Sequence, residues 1–75
     1  MEYVVVEYPD DREVCVDGQV AGQANDTLMI ERGHHEFDLG DPKDYQPASL
    51  EINVQDTTPV GPLIIRNFQP IGAGE

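Results

Sequence analysis

Hydrophobic and polar residues alternate in short runs along this chain, and nowhere do apolar positions recur at the helical spacing of three to four. In "EYVVVEY" (2–8), Val4, Val6 and Tyr8 share one face. "REVCV" (12–16) sets Val14 and Val16 on one side and Glu13 and Cys15 on the other. "TLMIE" (27–31) aligns Leu28 with Ile30, and "HHEFDL" (34–39) aligns His35, Phe37 and Leu39. "SLEINV" (49–54) aligns Leu50, Ile52 and Val54 and turns Glu51 and Asn53 away. "LIIRNF" (63–68) supports either face, Leu63 with Ile65 or Ile64 with Phe68, as a strand buried on both sides would. The pattern predicts an all-β chain: a small antiparallel β-sandwich of about seven short strands. One domain spans 1–68, and 69–75 reads as a frayed C-terminal tail.

The breaks between runs have mechanisms. Asp17-Gly18, in "VDGQ" (16–19), tolerates the two positive φ angles of a type I′ turn and predicts a hairpin. "ERG" (31–33) fits a turn in which Gly33 takes the left-handed position of a hairpin bulge. "QAND" (23–26) is a polar loop between short strands. "GDPKDYQP" (40–47) and "QDTTPVGP" (55–62) are longer excursions.

"IERGHHEFDL" (30–39) is the one stretch that clusters residue types used in catalysis. Successive strand residues point to opposite faces, so His34 and His35 cannot share a metal within a regular strand. His35 falls with Phe37 and Leu39 at the edge of the core. His34 falls with Glu36 and Asp38 outside, a triple able to hold a cation weakly, but one exposed strand face rarely fixes the three or four ligands that zinc takes. The reading is a hairpin corner with no metal site. "DPKD" (41–44) lacks the glycine and glutamate of a calcium loop. No serine or threonine has a base beside it, and no glycine-rich cradle opens a helix. The expectation is a chain with no catalytic, cofactor-binding or metal residues, and not an enzyme.

Size and charge narrow the partners. Seventy-five residues make one small core with little room for a deep pocket. Fifteen Asp and Glu stand against four Lys and Arg, a net charge of −11 that argues against nucleic acid and anionic membranes. Such acidity serves solubility, a basic partner or a high-salt solvent. The single cysteine, Cys15, sits in a strand-like run with no activating neighbour, which excludes a disulfide framework. No apolar run approaches the roughly 20 residues of a membrane span, and the N-terminus lacks a basic region. If the chain is complete, it is expected to be cytoplasmic.

Several motifs together resemble a PEGA domain: "EVCVDGQVAGQ", "LMIERGHHEFDLG", "DYQPASLEINV" and "PLIIRNF". The matching positions are Val16-Asp17-Gly18, Gly22, Gly33-His34, Tyr45 and Pro47, within residues 12 to 68. Ala24-Asn25-Asp26-Thr27 replaces the usual Thr-Pro, and Asp44 stands where glycine usually precedes the tyrosine. The resemblance implies a small accessory β-sandwich without established catalytic residues, used in adhesion, carbohydrate contact or interdomain packing.

The functional expectation is therefore a non-catalytic module that contacts a protein or glycan through loop tips or a free sheet edge. Self-association through such an edge fits the same logic. The 40–47 loop is the expected interface, through Lys43, Asp44, Tyr45 and Gln46. Tyr45 is either its anchor or a plug beneath it. The alternative is an acidic decoy that occupies a nucleic-acid-binding protein, which requires carboxylates gathered on one face.

Overall fold

The computed structural model describes residues 1–71 and is all-β. The alternating runs become β1 (Glu2–Val6), β2 (Glu13–Val16), β3 (Gln19–Gln23), β4 (Thr27–Ile30), β5 (Gly33–Asp38), β7 (Leu50–Val54) and β8 (Leu63–Ile65). Two further strands of two residues each, β6 (Tyr45–Gln46) and β9 (Gln69–Pro70), bring the total among the described residues to nine. Gln69 and Pro70, expected to begin a fraying tail, pair instead with β6. The rest of that expected tail, from 72 on, lies outside the described residues.

The strands form a three-stranded sheet in the order β4-β1-β8, a four-stranded sheet in the order β3-β2-β5-β7, and the short β6-β9 ladder. Their inner faces meet in one core. Val4, Val6, Val14, Phe37 and Val54 are wholly buried, and Leu39, Ile65, Tyr45 and Phe68 nearly so. Each such side chain contributes about 1.5–3 kcal/mol through apolar burial. The inward residues are the ones that the period of two selects.

Pairing departs from expectation in two places. β1 runs parallel to β8, with Val4 beside Leu63 and Val6 beside Ile65, so the fold is antiparallel in most pairs and not in all. The turn at 31–33 is not a hairpin. β4 pairs with β1, and β5 pairs with β2 and β7, so Glu31 and Arg32 carry the chain across from one sheet to the other. Gly33 does take a positive φ, 130°, but as the first residue of β5 and not in a hairpin bulge. The Asp17-Gly18 turn is as predicted, with φ of 55° and 85° and β2 antiparallel to β3.

Small residues and one amide let the layers close. A Cβ at Gly22 would collide with the Leu28 side chain, so glycine lets β4 approach β3. Asn25, in the loop read only as polar, acts as a splice. Its side chain accepts from the Tyr8 N–H at 3.1 Å and donates to the Tyr8 carbonyl at 2.9 Å, while its own N–H donates to Val6. The path after β1 is thereby tied to the turn before β4.

Candidate functional site

The 40–47 loop is strapped down from beneath. Arg12, just before β2, bonds Asp44 at 2.7 Å and the carbonyls of Pro42, Leu39 and Gly40 at 2.7, 3.1 and 3.4 Å. Its guanidinium lies 5.2 Å from the Tyr45 ring centre. Burial is the largest influence and opposes that charge, but the bond to Asp44, the Asp44 charge and smaller contributions from Tyr8 and Tyr45 together hold the guanidinium above its ordinary value. Tyr45 is 2% exposed. Its hydroxyl accepts from the Leu39 N–H and donates to the Gly40 carbonyl, and its ring meets Phe68 edge-on. Of its two expected roles, the ring fills that of the plug. Lys43, Asp44 and Gln46 are exposed around it. Lys43 leans over the same ring, 5.9 Å from its centre.

The histidines separate as strand geometry requires. His34 is exposed, and His35 faces inward at the core edge. His35 Nδ1 lies 2.6 Å from Asp17 Oδ2, and Nε2 lies 2.6 Å from the Glu31 carbonyl oxygen. Asp17 Oδ1 accepts the Glu36 N–H at 2.9 Å. That backbone bond, then the histidine, hold the Asp17 carboxyl below its ordinary range. The Asp17 bond raises His35, partial burial opposes it, and the Glu31 carbonyl adds to the rise. A shallow depression of about 360 Å³ opens here, lined by Asp17, His34, His35, Glu36 and Glu51. Both nitrogens of His35 are engaged, so its ring has none free for a substrate. Among the described residues, no three His, Cys, Asp or Glu side chains converge on a metal position. Burial and nearby Asp38 push the Cys15 thiol up, away from the thiolate a nucleophile needs.

Two outer faces remain. That of the four-stranded sheet carries Glu13, Glu36, Asp38 and Glu51 with His34, Asn53 and Cys15, an exposed Val20 opposite Cys15 on β3, and no Lys or Arg on its strands. Glu36 stands directly opposite Glu51. That of the three-stranded sheet carries Tyr3 and Val5 on β1, Met29 on β4 and Ile64 on β8. Tyr3 lies beside Met29, and Val5 lies between Thr27 and Ile64. Met29 is 64% exposed and Ile64 37%. The two-sided apolar run "LII" pointed to this face, but Ile64 is exposed and not covered as a strand buried on both sides would be, and the unbroken "YVVV" carries the same signal.

Beyond it, Thr57 ties the 55–62 loop to β1. It donates N–H and hydroxyl to Glu2 and accepts the Tyr3 N–H. Those bonds hold the Glu2 carboxyl below its ordinary value. Thr58 and Gly61 close a tight turn that leaves Val60 almost fully exposed. Among the described residues, no helix is long and apolar enough to cross a membrane. No protein-family model, curated protein or solved structure matches the chain.

Proposed function

We propose that this chain is a non-catalytic protein-interaction module that docks its partner on the outer face of the three-stranded sheet. The observation that carries this reading is the row Met29, Tyr3, Val5, Ile64, an apolar surface on the solvent side of a sheet whose other side is already core. An antiparallel sheet with one solvated face normally turns polar residues outward. A contiguous apolar face implies a covering layer. The partner that suits it presents apolar residues flanked by Lys or Arg, because the whole chain carries −11 and draws in positive charge. A glycan suits it less well. Sugar recognition favours platforms of several exposed aromatic rings, and this face offers Tyr3 alone, half-buried, while Tyr8, Phe37, Tyr45 and Phe68 are buried. The expected 40–47 contact contributes at most Lys43, Asp44 and Gln46 at its rim. Membership of the PEGA family, with its interdomain-packing role, belongs to the same proposal.

A photo-crosslinking residue tests the placement. At position 29 it should join the chain to a discrete partner in native extract, and at position 36 it should not. Crosslinking at 36 alone would move the interface to the other sheet.

That outcome would favour a second reading, the acidic decoy. Glu13, Glu36, Asp38 and Glu51 share one face whose strands carry no Lys or Arg, with Lys43 near Asp38 as a partial counter-charge, and such a gathering of carboxylates suits a phosphate mimic. A nucleic-acid-binding protein, captured at 36 and released by competing DNA or RNA, would support it.

A further inference from the structure

His35 meets two oxygen atoms at once, and neither has a proton to give. One belongs to the Asp17 carboxylate and the other to the Glu31 amide carbonyl, each 2.6 Å from a ring nitrogen. A neutral imidazole has one N–H and one lone pair. It can make one of these bonds and would set its lone pair against an oxygen at the other. Only the imidazolium satisfies both. We infer that His35 is a protonated clamp between the Asp17-Gly18 turn and the inter-sheet crossover, and that losing its proton unlatches the crossover at Glu31 and Arg32.

The surroundings favour the charged ring. Asp17 faces it from the β2–β3 turn, and Glu31 faces it from the crossover with a carboxylate besides its carbonyl. Glu36 and Glu51 line the adjoining depression with His34, and no Lys or Arg does. Phe37 offers a ring edge 6.5 Å away. Partial burial opposes the charge, and the Asp17 bond outweighs it.

The two bonds are not equivalent once the proton leaves. The remaining proton stays on Nδ1, where the carboxylate is the stronger acceptor. The Nε2 lone pair then faces the Glu31 oxygen, and that contact opens. Asp17 keeps its hold on β5 through Oδ1 and the Glu36 N–H. The hairpin turn therefore stays in place while the crossover moves. Glu31 and Arg32 are the covalent joint between β4 in one sheet and β5 in the other, so the device acts on the joint between layers.

Nitrogen-15 NMR of the imidazole rings and backbone amides, followed across the histidine titration, tests this on the unmodified chain. The His35 midpoint should lie above the ordinary value of about 6.5. Nε2 should be the nitrogen that loses its proton. The amide chemical shifts of Arg32 and Gly33 should move with the same midpoint, while the Asp17 amide, which donates to the Glu36 carbonyl, stays protected from exchange. In His35→Gln, which cannot charge, the pH response at Arg32 and Gly33 should disappear. A His35 midpoint at or below the ordinary value would overturn the inference, and so would amides at 32 and 33 that ignore the ring. The titration of the unmodified chain decides even if the variant fails to fold.

Discussion

The two outer faces of this sandwich are built from the same strand alternation and end as opposites. On the four-stranded sheet, Glu13, Glu36, Asp38 and Glu51 dominate the outward positions, beside His34, Asn53, Cys15 and a single exposed valine, Val20, and water suits most of them. On the three-stranded sheet they are Tyr3, Val5, Met29 and Ile64, and water does not. The acidic face tolerates a direct Glu36–Glu51 juxtaposition, which costs stability. The apolar face leaves Met29 largely uncovered, so its apolar area contributes little to folding. The two faces also differ in distribution: carboxylates occur throughout the chain, whereas a run of adjoining outward apolar side chains occurs on the three-stranded sheet.

The largest effect on stability is expected at the end of the four-stranded sheet, where Arg12 holds three carbonyls and Asp44. Arg12→Ala should cost about 2–3 kcal/mol by leaving those acceptors without their charged donor. Asp44→Ala, removing the most exposed partner, should cost under about 1 kcal/mol. Urea denaturation of both variants checks the ranking. If Arg12→Ala behaves like a surface substitution, the loop is not held as described.

Next comes the turn that closes the β2–β3 hairpin beside the acidic face. Gly18→Val forces a β-branched residue to φ near 85° and should destabilise by about 1–2 kcal/mol. An unchanged thermal midpoint would contradict the turn geometry.

A smaller effect of opposite sign separates the faces. Glu51→Lys turns a like-charge pair across β5 and β7 into an attractive one and should stabilise by about 0.5–1 kcal/mol. Met29→Lys, at an exposed position, should stay within about 0.5 kcal/mol of the parent. Added salt should raise the parent's melting temperature by screening self-repulsion, and raise that of Glu51→Lys less. A flat salt response in the parent would remove the repulsion argument.

The pH dependence follows from the two shifts at the clamp. Asp17 is depressed, so its contribution is present above about pH 3.9 and is lost as pH falls through its folded value. His35 is raised, so its contribution is complete below about pH 6.5 and is lost as pH rises through its folded value. Stability from this pair should therefore be greatest between about pH 4 and pH 6.5. The difference in unfolding free energy between the parent and His35→Gln, measured by denaturant titration across pH, should shrink toward alkaline pH. A difference that is constant above pH 6.5 would contradict the assignment.

Much of the fold was legible because strand alternation is local. Val4, Val6, Val14, Val16, Leu28, Ile30, Phe37 and Val54 are buried as their spacing predicts. Asp17-Gly18 was legible because its turn is set by two residues. Sheet partnership was not, since nothing within 27–38 tells β4 to pair with β1 rather than with β5. Arg12 gives no local sign of its role, because its partners lie 27 to 32 residues away. Tyr45 could be weighed as anchor or plug, but only packing against Phe68 decides between them. The histidine pair was half legible. Alternation separated the two rings, but the crossover that brings the Glu31 carbonyl to His35 depends on the sheets.

The central claim is that the apolar face, not the acidic one, carries the contact. It is tested most directly by paired capture from native lysate with two double variants, Met29→Lys/Ile64→Lys and Glu36→Lys/Glu51→Lys, both verified as folded. The account predicts that the first pair loses the partners bound by the parent and that the second keeps them. Retention by the first and loss by the second would contradict it.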